Sequence, residues 1–148
     1  MRGKQSFPKR SKELTMVQQH YSLKQAFPDS NGSFRRNESL VWEGFIQPTP
    51  LSPRYSVRIQ YTMRQRPKVF VLSPKLETRE WERLPHTFGG NELCLFMFKY
   101  YEWSSSRHLV GTIIPWTSLW LYYYEIWRST WKWMGGGEHL EGPKNING

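Results

Sequence analysis

Cys94 is the one strong nucleophile by type in this 148-residue chain, and it is the only cysteine. An unperturbed thiol titrates near pH 8.5, so about a few per cent is thiolate at neutral pH before its surroundings act. The run Pro85-His86-Thr87-Phe88-Gly89-Gly90-Asn91-Glu92-Leu93-Cys94 brings an imidazole, a two-glycine turn and a side-chain amide close to the sulfur in sequence. Glycines let the backbone turn tightly and aim N–H groups beside a thiol. In a nucleophilic site His86 would orient the turn or hold a proton, and Asn91 would donate to a developing oxyanion. Plainer readings stand beside these. A cysteine between Leu93 and Leu95 suits a core, the His86 ring suits a tie of Pro85 and the following turn through backbone hydrogen bonds, and Asn91 after Gly-Gly suits a turn. His20, His108 and His139 are scattered without metal-ligand spacing, so no metal or other cofactor is expected.

Composition narrows the class of molecule. One cysteine excludes an internal disulfide and an all-thiolate cluster, which fits a reducing compartment such as the cytoplasm. Residues 1–15 carry five basic side chains and no apolar run, so no signal peptide is expected. The most apolar stretch, Leu109 to Tyr124, falls short of the roughly 20 residues that cross a bilayer, so a soluble protein is expected, with no membrane partner. The net charge of +9 is unevenly spread: eight basic and two acidic residues in 1–36, seven and four in 37–80, six and six in 81–148. Seven of the eight tryptophans, all but Trp42, fall in the neutral last part, five of them within 116–133. Single-strand binders place stacking rings inside a positive groove, and here the two are segregated, so no nucleic-acid partner is expected.

The elements that would position Cys94 follow from periodicity. Leu14, Val17, Tyr21, Leu23 and Phe27 predict a first helix over Glu13 to Phe27, closed by Pro28-Asp29-Ser30-Asn31-Gly32. Alternation then predicts three antiparallel strands around Leu40–Pro48, Tyr55–Tyr61 and Val69–Pro74, with Pro67 at the start of the third and a fourth, shorter strand within Trp81 to Gly90. Trp116, Leu119, Trp120, Tyr123, Tyr124 and Trp127 predict a large C-terminal helix entered near Pro115 and stopped by Gly135-Gly136-Gly137. The order gives one α+β domain over 1–148, with helices segregated from a meander of about four strands, a flexible basic arm over 1–12 and a loose tail over 140–148.

Taken in order, these segments resemble the ubiquitin-conjugating enzymes, and more closely their bacterial relatives in cyclic-oligonucleotide-based antiphage signalling (CBASS). Trp42-x-Gly44-x-Ile46-x-Pro48, Tyr55-x-Val57-x-Ile59-x-Tyr61 and Pro67-x-Val69-x-Val71-x-Ser73-Pro74-x-Leu76 look like the family's first three strands. Pro85-His86 and Leu93-Cys94-Leu95 look like its active-site stretch, and Pro115-Trp116, Trp120-Leu121, Tyr124-Glu125-x-Trp127 and Trp133-x-Gly135-Gly136-Gly137-x-His139 like the bacterial group's aromatic C-terminal pattern. Eukaryotic members carry His-Pro-Asn where this chain has His86-Thr87-Phe88, which leaves Asn91 as the substitute amide.

The resemblance implies a ubiquitin-conjugating-like fold and a transferase in which Cys94 takes the C-terminal carboxyl of a cGAS-like nucleotidyltransferase as a thioester and passes it to an amine-bearing protein acceptor. His86 and Asn91 would complete the site. A glycine-rich phosphate loop ending in Lys-Ser/Thr is missing, so the stand-alone type of the short operons is implied, without ATP use by this chain. Two other readings remain open: a non-catalytic module of the same fold that holds the synthase, and a nucleic-acid-binding domain.

Overall fold

The computed structural model describes residues 12–78, 83–95 and 103–135. Helix α1 spans Met16–Ala26, within the stretch that the periodicity predicts. Thr15 caps it: its hydroxyl accepts the Gln18 N–H at 3.1 Å, and the Gln18 side chain accepts the Thr15 N–H at 2.9 Å. This reciprocal pairing satisfies two N–H groups that a helix start otherwise leaves open. The buried face is Met16, Gln19 and Leu23, whereas Val17 and Tyr21 are exposed. Gln19 sits on that face because its amide closes two long-range bonds. Its Nε2 donates to the Arg107 carbonyl and its Oε1 accepts the Leu109 N–H, both at 2.9 Å.

Four antiparallel strands follow in the order β1-β2-β3-β4: β1 Asn31–Arg35, β2 Ser39–Ile46, β3 Tyr55–Thr62 and β4 Lys68–Ser73. The three predicted strands are β2, β3 and β4, and Pro67 immediately precedes β4. The fourth strand stands before them, where only a turn was expected. β1 buries none of its residues, so it has no alternating apolar pattern and is held by backbone pairing to β2. Residues 83–90 contain no strand, only an isolated bridge between Thr87 and Leu93; residues 81 and 82 lie outside the described residues.

One sheet face forms the core. Trp42 opposes Ile59, Leu40 opposes Tyr61, Ile46 opposes Tyr55 and Ile59 opposes Val69. Helix α2, Ile113–Thr130, adds Ile113, Thr117, Trp120, Leu121, Tyr124 and Trp127, a buried stripe at helical spacing. Pro115 lies in its first turn, where a missing N–H costs nothing. The helix ends at Thr130, before the glycines expected to stop it. The hydroxyls of Ser129 and Thr130 bond back to the carbonyls of Glu125 and Ile126, and Thr130 Oγ1 also accepts the Lys132 N–H. Trp131 takes a left-handed conformation (φ 59°), donates its N–H to Trp127 and sets its ring edge-on to Trp127 at 5.2 Å. These local bonds compete with further helix and turn the chain back. The basic arm over 1–12, except Lys12, and the tail over 140–148 fall outside the described residues.

Gly44 is where the sheet meets Trp42 most closely: an added Cβ would fall inside the van der Waals surface of the buried indole. Gly44→Ala is therefore expected to destabilise the fold by about 1–3 kcal/mol through overpacking, read as a lower urea midpoint at unchanged m-value. A midpoint equal to wild type would show that the indole has room to move.

Candidate functional site

The segment carrying Cys94 is a short hairpin seated on the edge of the sheet. Leu84 is buried, and its carbonyl accepts the Thr87 hydroxyl at 2.9 Å. Phe88 N–H donates to the Glu92 carbonyl at 2.7 Å, Thr87 bridges Leu93, and Cys94 N–H donates to the His86 carbonyl at 2.8 Å. Leu93 N–H reaches the Val69 carbonyl at 2.9 Å, which ties the hairpin to β4. The tip, Gly89–Asn91, is a single 3-10 turn in which Gly90 (φ 73°) and Asn91 (φ 65°) are both left-handed. Two successive left-handed residues are turn chemistry that Gly and Asn tolerate best.

Helix α2 holds the hairpin at its base. Trp120 Nε1 donates to the same His86 carbonyl at 3.0 Å, so that oxygen accepts two N–H groups. His86 is itself left-handed (φ 50°) and buried, and its ring lies 4.6 Å from the Trp133 ring at an interplanar angle of 31°. The sequence pattern assigns the tie to the His86 ring; the hydrogen bonds that hold the hairpin here run through the His86 carbonyl. The imidazole instead packs against an indole that follows α2.

At the tip the fastening is ionic. Both carboxylate oxygens of Glu92 accept from Arg66, at 3.0 and 2.8 Å, and the guanidinium also covers the Phe88 ring at 4.2 Å from its centroid. Glu92 is buried, and burial pushes its carboxyl above the usual glutamate range while Arg66 and Lys68 pull it back in part. A carboxylate so placed depends on its partner. Neither Arg66 nor Glu92 stood out in the sequence, because an ion pair across 26 positions leaves no periodic trace.

Cys94 lies between Leu93 and Leu95 at 1% exposure, in agreement with the core placement left open above. Asn91 is exposed at the tip, three positions earlier, and its side chain makes no hydrogen bond among the described residues. The structure therefore brings His86 and Cys94 together through a backbone hydrogen bond and sets Asn91 apart at the turn.

A second seam explains the aromatic pattern of α2. Glu125 accepts the hydroxyls of Tyr55 and Ser52, each at 2.8 Å, and the Tyr124 hydroxyl accepts the Glu77 N–H at 2.6 Å. Burial, reinforced by the Glu125 carboxylate, pushes the Tyr55 hydroxyl far above the usual phenol range, so it stays a donor. A cleft of about 330 Å³ opens beside this seam, between the loop before β3 and the end of α2. Among the described residues no group of three His, Cys, Asp or Glu side chains could hold a metal ion, and no helix is long and apolar enough to cross a membrane. His139 and Gly136-Gly137 fall outside the described residues.

Compared with known proteins, residues 19–140 match the family model described as Type II CBASS E2 protein. No curated protein matches the chain.

The Arg66–Glu92 pair gives two measurable consequences. Arg66→Met should cost about 2–3 kcal/mol, below the roughly 3–5 typical of fully buried pairs because the guanidinium is 39% exposed. Burial raises the folded-state pKa of Glu92, so the stability linked to its proton is present in full below the ordinary glutamate range and is lost as pH rises through the raised value. Urea midpoints compared with Glu92→Gln between pH 4 and 7 should show wild type losing its acid-side advantage with rising pH. A flat difference across that range would contradict the raised pKa.

Proposed function

The chain belongs to the type II CBASS E2 family, whose place is in antiphage defence, and on that premise we propose that it is a cysteine acyl carrier of the ubiquitin-conjugating type. In this reading the Cys94 thiolate adds to the carbonyl carbon of an activated acyl group at the C-terminus of a cGAS-like nucleotidyltransferase. The C–S bond forms while the donor's leaving group, a thiolate or a phosphate, departs with its electron pair. An amine of a protein acceptor then adds to the thioester carbon and loses its proton to solvent or to a nearby base. The C–S bond breaks with the pair returning to sulfur, and an amide remains. Sulfur leaves readily, so the protein has only to fix the nucleophile, supply donors for the oxyanion and admit the amine.

The observation that carries the reading is the hairpin frame. The His86 carbonyl fixes the Cys94 backbone from one side, and α2 fixes His86 from the other through Trp120. Such a frame holds a nucleophile in place without help from its side chain. Asn91 sets the left-handed turn at the tip of the same hairpin, apart from Cys94, so its exposed amide serves as the oxyanion donor only on an acyl chain laid along the hairpin. The burial of Cys94 favours a second reading, a module of this fold that holds the synthase without transfer. Val41, Phe45 and Leu72, exposed on the sheet, would then supply apolar contact area.

The protein mixed with its synthase and an activated C-terminal donor should give an adduct that thiol reductant removes and that Cys94→Ala does not form. An identical adduct in the alanine variant would remove Cys94 from the chemistry, and no adduct in either would leave the holding module. Asn91→Gly keeps the turn and deletes the amide. Transfer should then fall by about 10²–10³-fold, the usual loss for one oxyanion donor, and a rate equal to wild type would reduce Asn91 to a turn residue.

A further inference from the structure

Both members of the hairpin base are closed off from water: Cys94 at 1% and His86 at 7% exposure. The chain that follows α2 lies across the His86 side of this base. Trp131 reverses direction through its left-handed backbone, and two residues later the Trp133 ring settles 4.6 Å from His86 and 5.4 Å from Trp120. Gly135 then packs flat on Tyr123; a Cβ there would stand 2.6 Å from the ring's Cδ2 and 3.0 Å from Trp133 Nε1.

We propose that residues 131–135 form a lid on the Cys94 hairpin, hinged at Trp131 and latched by Trp133, and that the thiol becomes reachable when the lid lifts. The proposal rests on the acyl-carrier reading for its purpose, and on packing alone for its geometry. Three observations support a latch that releases. First, the described contacts between Trp133 and the body of the protein are ring packing: His86, Trp120 and Tyr123. Ring packing is non-directional and separates without breaking a bond network. Second, the Trp133 indole N–H is buried and has no hydrogen-bond partner among the described residues, so the closed position carries an uncompensated polar cost that lifting would relieve in water. Third, the Lys132 N–H bonds back to Thr130 at the end of the helix, so the turn itself survives when the ring swings out.

The lid thereby separates storage of the thiol from its use. A closed carrier is protected against oxidation and stray acylation, and contact with a partner that takes up the Trp133 ring would expose Cys94 only in the complex.

The test is the rate at which a small alkylating reagent labels Cys94. In wild type, labelling should be slow and nearly independent of low urea, as expected for local opening, whereas exposure by global unfolding rises steeply with urea. Trp133→Ala should speed labelling tenfold or more at an unchanged far-UV spectrum. Trp133→Phe, which keeps the stack and deletes the orphan N–H, should label as slowly as wild type or more slowly. Equal rates in wild type and a folded Trp133→Ala would overturn the lid. So would wild-type labelling that tracks global unfolding, and this second reading decides the matter even if the alanine variant does not fold. Fast labelling of Trp133→Ala without any thioester adduct would sink the carrier reading and leave the lid standing. An adduct formed at wild-type labelling rates throughout would do the reverse.

Discussion

A single carbonyl oxygen organises the candidate site. The His86 carbonyl accepts the Cys94 N–H and the Trp120 indole N–H, and through these two bonds the hairpin and α2 become one unit. His86 is left-handed, a conformation that an imidazole-bearing residue adopts at some cost, and that twist is what aims the oxygen at both donors. Leu93 extends the unit to β4 and Glu92 extends it to Arg66 just before β4, so the hairpin, α2 and the start of β4 together fix where Cys94 sits. Losing one donor from such a shared acceptor loosens the other, because each bond holds the geometry that the second requires.

The parts of this fold that were legible in the sequence are those with a period. Strands β2, β3 and β4 bury alternate residues, and α2 buries every third or fourth, so apolar spacing alone located them. β1 was invisible because it buries nothing, and the face of α1 was misread because its central buried residue is a glutamine. The end of α2 was misplaced for a related reason. A tryptophan took the left-handed position that glycine usually fills, paired with Trp127, and the helix stopped early. At the site, the residue types and the turn were readable, and so was the alternative that Cys94 is enclosed. What spacing could not show was the long-range fastening: Arg66 to Glu92, Trp120 to His86, and Trp133 over the ring of His86.

The family match also acquires a physical meaning. Three residues of the aromatic C-terminal pattern, Trp120, Tyr124 and Glu125, are fasteners. Glu125 receives two hydroxyls from the loop and strand before it in space, Tyr124 receives the Glu77 N–H, and Trp120 holds the hairpin. Arg128 adds an ion pair to Glu77. The Trp120 and Tyr124 rings each cover a large area while their polar edges finish a bond at the margin.

Gln19 ties the first helix to the lead into the last one in the same economical way. One amide on α1 bonds both Arg107 and Leu109, about ninety positions onward, just ahead of the start of α2. An opening that frees the first helix must strand that carbonyl and that N–H at the same moment. The first helix and the lead into the last one therefore open as a single cooperative patch, joined across about ninety positions of the sequence.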